Sequence, residues 1–266
     1  MKKNIILWLG AIIITFLAGY MRNVTGPDYP VSGTIGVEGK QVTFKFDKLY
    51  IGNDSYNVLI RTDVKDIKAF LLWKNIITNP PAGKHLQNES APIWQRDLMA
   101  DSGFVIKGKL PHHNPGEKVA YRVELNYGSK QYFLPEDRPV TIKFLGYVNF
   151  SVMNIFYFIL FGGLILAVRT GLEAFNDNRR IGMYTIFTLI FFFLYTICMV
   201  PLKRTYEQNA INHFVPSVNS LITYQSASLF ILWIIGLILI FNIKGNRIIP
   251  LVISSLTIII YILVYY

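Results

Sequence analysis

The chain has 266 residues, four histidines, one cysteine and a formal charge of +10, and 52% of it is apolar. With a mean hydropathy of +0.38, that balance belongs to a membrane protein and excludes a disordered or nucleic-acid-wrapping chain. The lone Cys198 excludes an intramolecular disulfide.

The first element is an uncharged stretch, residues 4–21, behind Lys2 and Lys3. It reads as an uncleaved transmembrane anchor. The alternative is a cleaved signal peptide, which needs a small-x-small site after its apolar core, and Phe16, Leu17 and Tyr20 around Ala18 and Gly19 spoil that site. Tyr20 also stands where a lipoprotein box would need its cysteine.

Residues 22–146 alternate apolar and polar positions with period two, the mark of half-buried strands. Strands are expected at residues 31–37, 41–46, 57–61, 67–74, 103–110, 118–125, 130–134 and 139–144, with turns between them such as Asn114-Pro115-Gly116 and Asn126-Tyr127-Gly128. Seven or eight short strands of this kind predict an all-β sandwich. The pattern Ala69-x-Leu71-x-Trp73, then Trp94 and Met99, Leu110-Pro111, Pro115-Gly116 and Val119-x-Tyr121-x-Val123 resembles fibronectin type III-like and immunoglobulin-like sandwiches of bacterial envelope proteins. The resemblance covers about 115 residues. It implies a fold and a binding or spacer role, and with no disulfide it favours the fibronectin-like version.

Few residues in this domain suggest chemistry. His112 and His113 read as a solvated hairpin, and His85 has no acidic cluster beside it to complete a metal site. The loop of residues 80–92, which holds His85 and leads into Trp94, is long enough to be functional. It is the domain's candidate for a partner-binding edge.

Four further uncharged runs follow, residues 147–168, 181–202, 221–243 and 248–266, each near the ~20 residues that cross a hydrocarbon core of ~30 Å. Five crossings are expected. Basic residues in short connections sit on the cytoplasmic side. With the N-terminus inside, that side holds Lys2, Lys3, Arg169, Arg179, Arg180, Lys244 and Arg247, against Lys203 and Arg204 outside. Residues 22–146 and the C-terminus then face out, and the positive charge reflects topology rather than nucleic acid. None of the runs contains Asp, Glu, Lys, Arg or His, which points away from coupled transport and from haem or intramembrane protease chemistry. Thr185, Thr188, Thr196, Ser254, Thr257 and the Gly162-Gly163 pair are expected to serve helix contacts.

The outer loop, residues 203–220, is expected to form a short amphipathic helix capped by Thr205, with Tyr206, Ala210 and Phe214 on one face, ended by Pro216. Lys203 and Arg204 would meet lipid phosphates. Glu207 and His213 are its only acid and base, six residues apart and so not aligned on a helix.

The sequence therefore predicts an α-helical integral membrane protein of five transmembrane helices with an extracytoplasmic β-sandwich. Its parts are an anchor (1–21), the sandwich (22–146) and a four-helix bundle (147–266). Its expected place is the bacterial cytoplasmic membrane. The expected function is non-enzymatic: an accessory or assembly subunit whose sandwich and outer loop (Lys203, Arg204, Tyr206, Glu207, His213 and Phe214) meet another envelope protein and membrane lipids. No cofactor is expected. One alternative is a transport or insertion component, since the layout of anchor, outer β-domain and bundle is similar to that of membrane-protein insertases of Gram-negative bacteria. The cation expected within such a bundle's groove is missing from the apolar runs. The other alternative is an outer-leaflet lipid- or glycan-modifying enzyme using His213, Glu207, Lys203 or Arg204.

Overall fold

The structure, a computed structural model, describes residues 2–37, 39–52, 54–64, 67–76, 93–176, 180–207, 222–243 and 247–264. The chain divides into two compact units, Asp28–Tyr147, and Met1–Pro27 together with Val148–Tyr266.

The first unit is built from strands β1 (Val31–Val37), β2 (Lys40–Phe46), β3 (Leu49–Ile51), β4 (Tyr56–Thr62), β5 (Lys68–Ile76), β6 (Gln95–Leu98), β7 (Ala100–Asp101), β8 (Val105–Leu110), β9 (Lys118–Tyr127), β10 (Lys130–Leu134) and β11 (Val140–Leu145). They form two sheets, in the orders β1-β2-β4-β8-β7 and β3-β11-β9-β5-β6, with β10 also on β9. All eight expected strands are present with ends within two residues. The sequence reading missed β3, β6 and β7, which are short and, in the case of Gln95-Arg96-Asp97-Leu98, almost without apolar residues.

Alternation makes the sandwich. Along β4, Tyr56, Val58, Ile60 and Thr62 are buried and the residues between them are exposed, because successive side chains point to opposite faces. One continuous core joins the sheets: Val42, Phe46 and Ile106 from the first meet Leu71, Trp73, Tyr121 and Phe144 from the second. Tyr121 donates its hydroxyl to the Asp47 carbonyl at 2.9 Å, so the phenol is buried with its polar end satisfied. β3 lies parallel to β11, while β2 lies antiparallel to β4 in the other sheet.

The second unit is helical: α1 (Lys2–Thr25), α2 (Phe150–Leu172), α3 (Ile181–Leu194), a π-helical turn (Tyr195–Met199), α4 (Val200–Glu207), α5 (Tyr224–Asn242) and α6 (Ile248–Leu263). Four helices are long and apolar enough to cross a membrane, Lys3–Thr25, Phe150–Phe175, Ile181–Glu207 and Tyr224–Asn242. The expected fifth crossing is shorter. Of the run 248–266, α6 occupies 16 residues, which at 1.5 Å each reach about 24 Å.

The helix ends follow from sequence. The Asn149 side chain accepts from Ser151 N at the start of α2, and Thr223 and Ser226 form a reciprocal capping box at the start of α5. The π turn sits just ahead of Pro201. A proline inside a helix removes a hydrogen-bond donor and crowds the preceding turn; here the turn widens, and Val200 N–H reaches back five residues to Tyr195 O. α3 and α4 thereby run on as one helix. Phe156, Leu164, Phe192, Leu229, Trp233 and Tyr261 form the apolar core of this unit. Hydroxyls stitch it: Trp233 Nε1 donates to Thr257 Oγ1 at 3.0 Å and Thr196 Oγ1 to Ser226 O at 3.0 Å, each across two segments.

Candidate functional site

The richest exposed chemistry lies on the outward face of the β3-β11-β9-β5-β6 sheet. Register puts Lys68, Phe70, Leu72 and Lys74 of β5 opposite Asn126, Glu124, Arg122 and Ala120 of β9. Phe70 and Leu72 also face Leu98 and Arg96 of β6, and Phe133 of β10 faces Glu124. Residues opposite one another across strands share a face, so these side chains gather into one layer.

Within that layer cations lie on rings. Lys74 Nζ stands 4.9 Å from the Trp94 ring centre. The Arg122 guanidinium lies 5.3 Å from Trp94 and 4.2 Å from Phe133. Arg96 lies 3.5 Å over Phe70 and grips Glu124 with two bonds, Nη2 to Oε1 at 2.7 Å and Nε to Oε2 at 3.3 Å. Arg96's hydrogen bonds, seconded by Asn126, outweigh burial and hold the Glu124 carboxyl below the usual carboxylate range. Cation–π contacts of this kind pre-set the guanidinium planes at little entropic cost. The layer is thus a cationic, aromatic surface.

Trp94 was the one member of this layer singled out from sequence; His85 lies outside the described residues. Lys74, Arg96, Arg122, Phe70 and Phe133 were missed. The signal was present: Lys68 and Lys74 on β5, and Lys118 and Arg122 on β9, stand an even number of residues apart and so share the outward face of their strands. The solvated-hairpin expectation holds for His112, which is exposed, and fails for His113. His113 is 9% exposed, packed 5.6 Å from Trp73 and 5.1 Å from Phe144. Burial pushes its imidazole below the ordinary value, against the pull of Glu117 Oε2 at 3.4 Å from Nδ1.

The opposite sheet holds a cleft of about 410 Å³. β2 and β4 pair only at Val42–Phe44 against Ile60–Thr62 and then part. Lys45, Asn57 and Arg61 line the opening, with Asp47 held by the Tyr56 hydroxyl at 3.2 Å.

The predicted outer-loop residues Lys203, Arg204, Tyr206 and Glu207 lie in α4, while His213 and Phe214 lie outside the described residues. Thr205 does not cap a helix; it sits within α4 and donates to Pro201 O at 2.9 Å. Lys203 turns inward, 3.1 Å from Glu207 and 4.7 Å from the Phe156 ring. It is largely buried, unlike the lipid-facing lysine expected.

At the other end of the helices, α2 carries a charge the sequence reading placed in a loop. Arg169 is fully buried, with Nη2 2.6 Å from Glu173 Oε1 and 2.5 Å from Asn4 Oδ1 of α1. Trp8 and Tyr184 rings flank its guanidinium at 5.5 Å and 4.9 Å. The helical unit is therefore not free of ionisable groups, and this pair ties α1 to α2. Among the described residues no three His, Cys, Asp or Glu converge as a metal site.

Comparison of the chain with protein-family models, curated proteins and solved structures gives no match.

Proposed function

We propose that this chain is a non-enzymatic membrane protein whose helical unit holds the sandwich at the outer side of a bacterial cytoplasmic membrane, where the sandwich docks a partner as an accessory or assembly subunit. The cation–aromatic layer of Lys74, Trp94, Arg122, Phe133, Arg96 and Phe70 carries this reading. Aromatic and arginine side chains on one face are what binding hot spots are made of. The distribution of lysine and arginine along the chain supports the orientation.

The strand order supports an immunoglobulin-like rather than a fibronectin-like version of the sandwich. β2-β4-β8-β7 reads as A-B-E-D and β11-β9-β5-β6 as G-F-C-C′, with β3 crossing to pair in parallel with β11. Trp73 then stands on strand C. Tyr121 of β9 lies in register with Trp73, but its hydroxyl donates to Asp47 O rather than to a carbonyl just upstream, so the tyrosine corner of immunoglobulin domains is not reproduced.

The test is a photo-crosslinking amino acid placed at Phe133 in one variant and at Leu59, on the opposite sheet, in another. A defined adduct at Phe133, absent at Leu59, is expected in cells. Adducts of equal yield at both positions, or none at Phe133, would sink the docking reading.

A further inference from the structure

Building on that docking reading, we propose that the partner of this face is an acidic polypeptide segment. It would lie extended along the sheet, with its carboxylates on the strand cations and its apolar side chains on the aromatic layer.

Charge carries the first step. The outward positions of β5, β6, β9 and β11 hold Lys68, Lys74, Arg96, Lys118, Arg122 and Lys143, by register and alternation. Glu124 is the one carboxylate among them, and Arg96 already grips it. Asp97 faces the other way and accepts from Trp73 Nε1 at 2.7 Å. The face thus presents a strong positive field of the sort that steers an oppositely charged partner.

Spacing and apolar surface carry the second step. Lys118 and Arg122 are four residues apart on β9, about 13 Å at ~3.3 Å per residue, which matches carboxylates four residues apart on an extended chain. On the same face Leu98, opposite Phe70 on β5, is 71% exposed. A sulfated glycan or an anionic lipid surface would answer the charges and leave this side chain in water. A polypeptide that mixes carboxylates with apolar side chains answers both.

The experiment uses the full chain in detergent and a fluorescein-labelled peptide in which glutamate alternates with leucine and serine. Its glutamine counterpart, heparin and vesicles containing phosphatidylglycerol are measured alongside. Binding of the glutamate peptide is expected to weaken as salt rises through the range where the screening length falls to ~8 Å. It should fall about tenfold in Lys68→Glu/Lys118→Glu, a variant that leaves the cation–aromatic contacts intact. Lys107→Glu/Lys109→Glu on the opposite sheet makes the same change in net charge and should leave binding unaltered. Equal loss from both pairs would reduce the effect to net charge and overturn the proposal. So would equal binding of the glutamine peptide, or retention of heparin or vesicles without the glutamate peptide. If the peptide ignores this face while the Phe133 crosslink persists, the acidic partner falls and the docking reading stands; if the crosslink is also lost, both fall.

Discussion

His113 couples the sandwich to pH. Its ring is wedged between Trp73 and Phe144, and burial lowers its pKa in the folded state. Between the ordinary histidine value of about 6.5 and the lower folded one, the unfolded chain binds a proton that the folded chain refuses. Stability in that window therefore rises with pH, and it is lost as pH falls below about 6.5. Glu124 acts in a separate, more acidic window. Its depressed carboxyl stabilises the fold above the ordinary carboxylate pKa of about 4.3 and ceases to as pH falls through the folded value. Denaturant unfolding of the sandwich followed from pH 7.5 to 5 should lose stability in the wild type, and His113→Asn should flatten that slope while lowering stability throughout. An unchanged slope in the variant would mean that His113 does not titrate with unfolding.

At the scale of elements, close approach of helices depends on missing side chains. A Cβ on Gly171 of α2 would stand 2.4 Å from Ser254 Cβ of α6, a distance that forces the helices apart. Helix association in lipid rests on such small-residue contacts because apolar burial gives no advantage there. Gly171→Ala should therefore lower the detergent-solubilised melting temperature, and Gly171→Ala with Ser254→Gly should recover most of the loss. A variant as stable as wild type would show that the two helices can part at no cost.

The same scale explains what could be read from sequence. Period-two alternation exposed eight strands because one face of each is core, as in β4. β6, with its Gln-Arg-Asp start, carries no such signal, since its role is to hold Arg96 and Asp97 at an edge. The end of α2 was lost for the opposite reason. Arg169 interrupts an apolar run, so it reads as solvated loop, whereas the residues that make its burial tolerable, Asn4 and Trp8, lie over 160 positions away. Ladders are local and legible; a long-range polar clamp is not.

For the whole molecule, that clamp decides whether α1 is a removable leader or part of the fold. α1 belongs with the helices of Val148–Tyr266 rather than with the sandwich, and its buried Ala11, Thr15 and Ala18 face inward. Arg22 donates to the Tyr261 carbonyl and lies 4.8 Å over the Tyr261 ring, tying α1 to α6 near one end. Asn4 and Trp8 hold Arg169 near the other. Breaking a buried ion pair by removing one partner costs roughly 3–5 kcal/mol, because the other charge stays buried without compensation, whereas apolar replacement of both can be neutral. Glu173→Ala should therefore unfold the helical unit at markedly lower temperature. Arg169→Met/Glu173→Leu should restore much of the loss in the full chain. Once α1 is deleted by removing residues 1–27, Arg169 loses Asn4 and Trp8 as well, and the wild-type pair should become a liability that the double replacement relieves. Intact mass of the purified protein should include α1. A mature chain beginning after residue 21, with unchanged stability, would show that the Asn4–Arg169–Glu173 clamp does not hold the helical unit together.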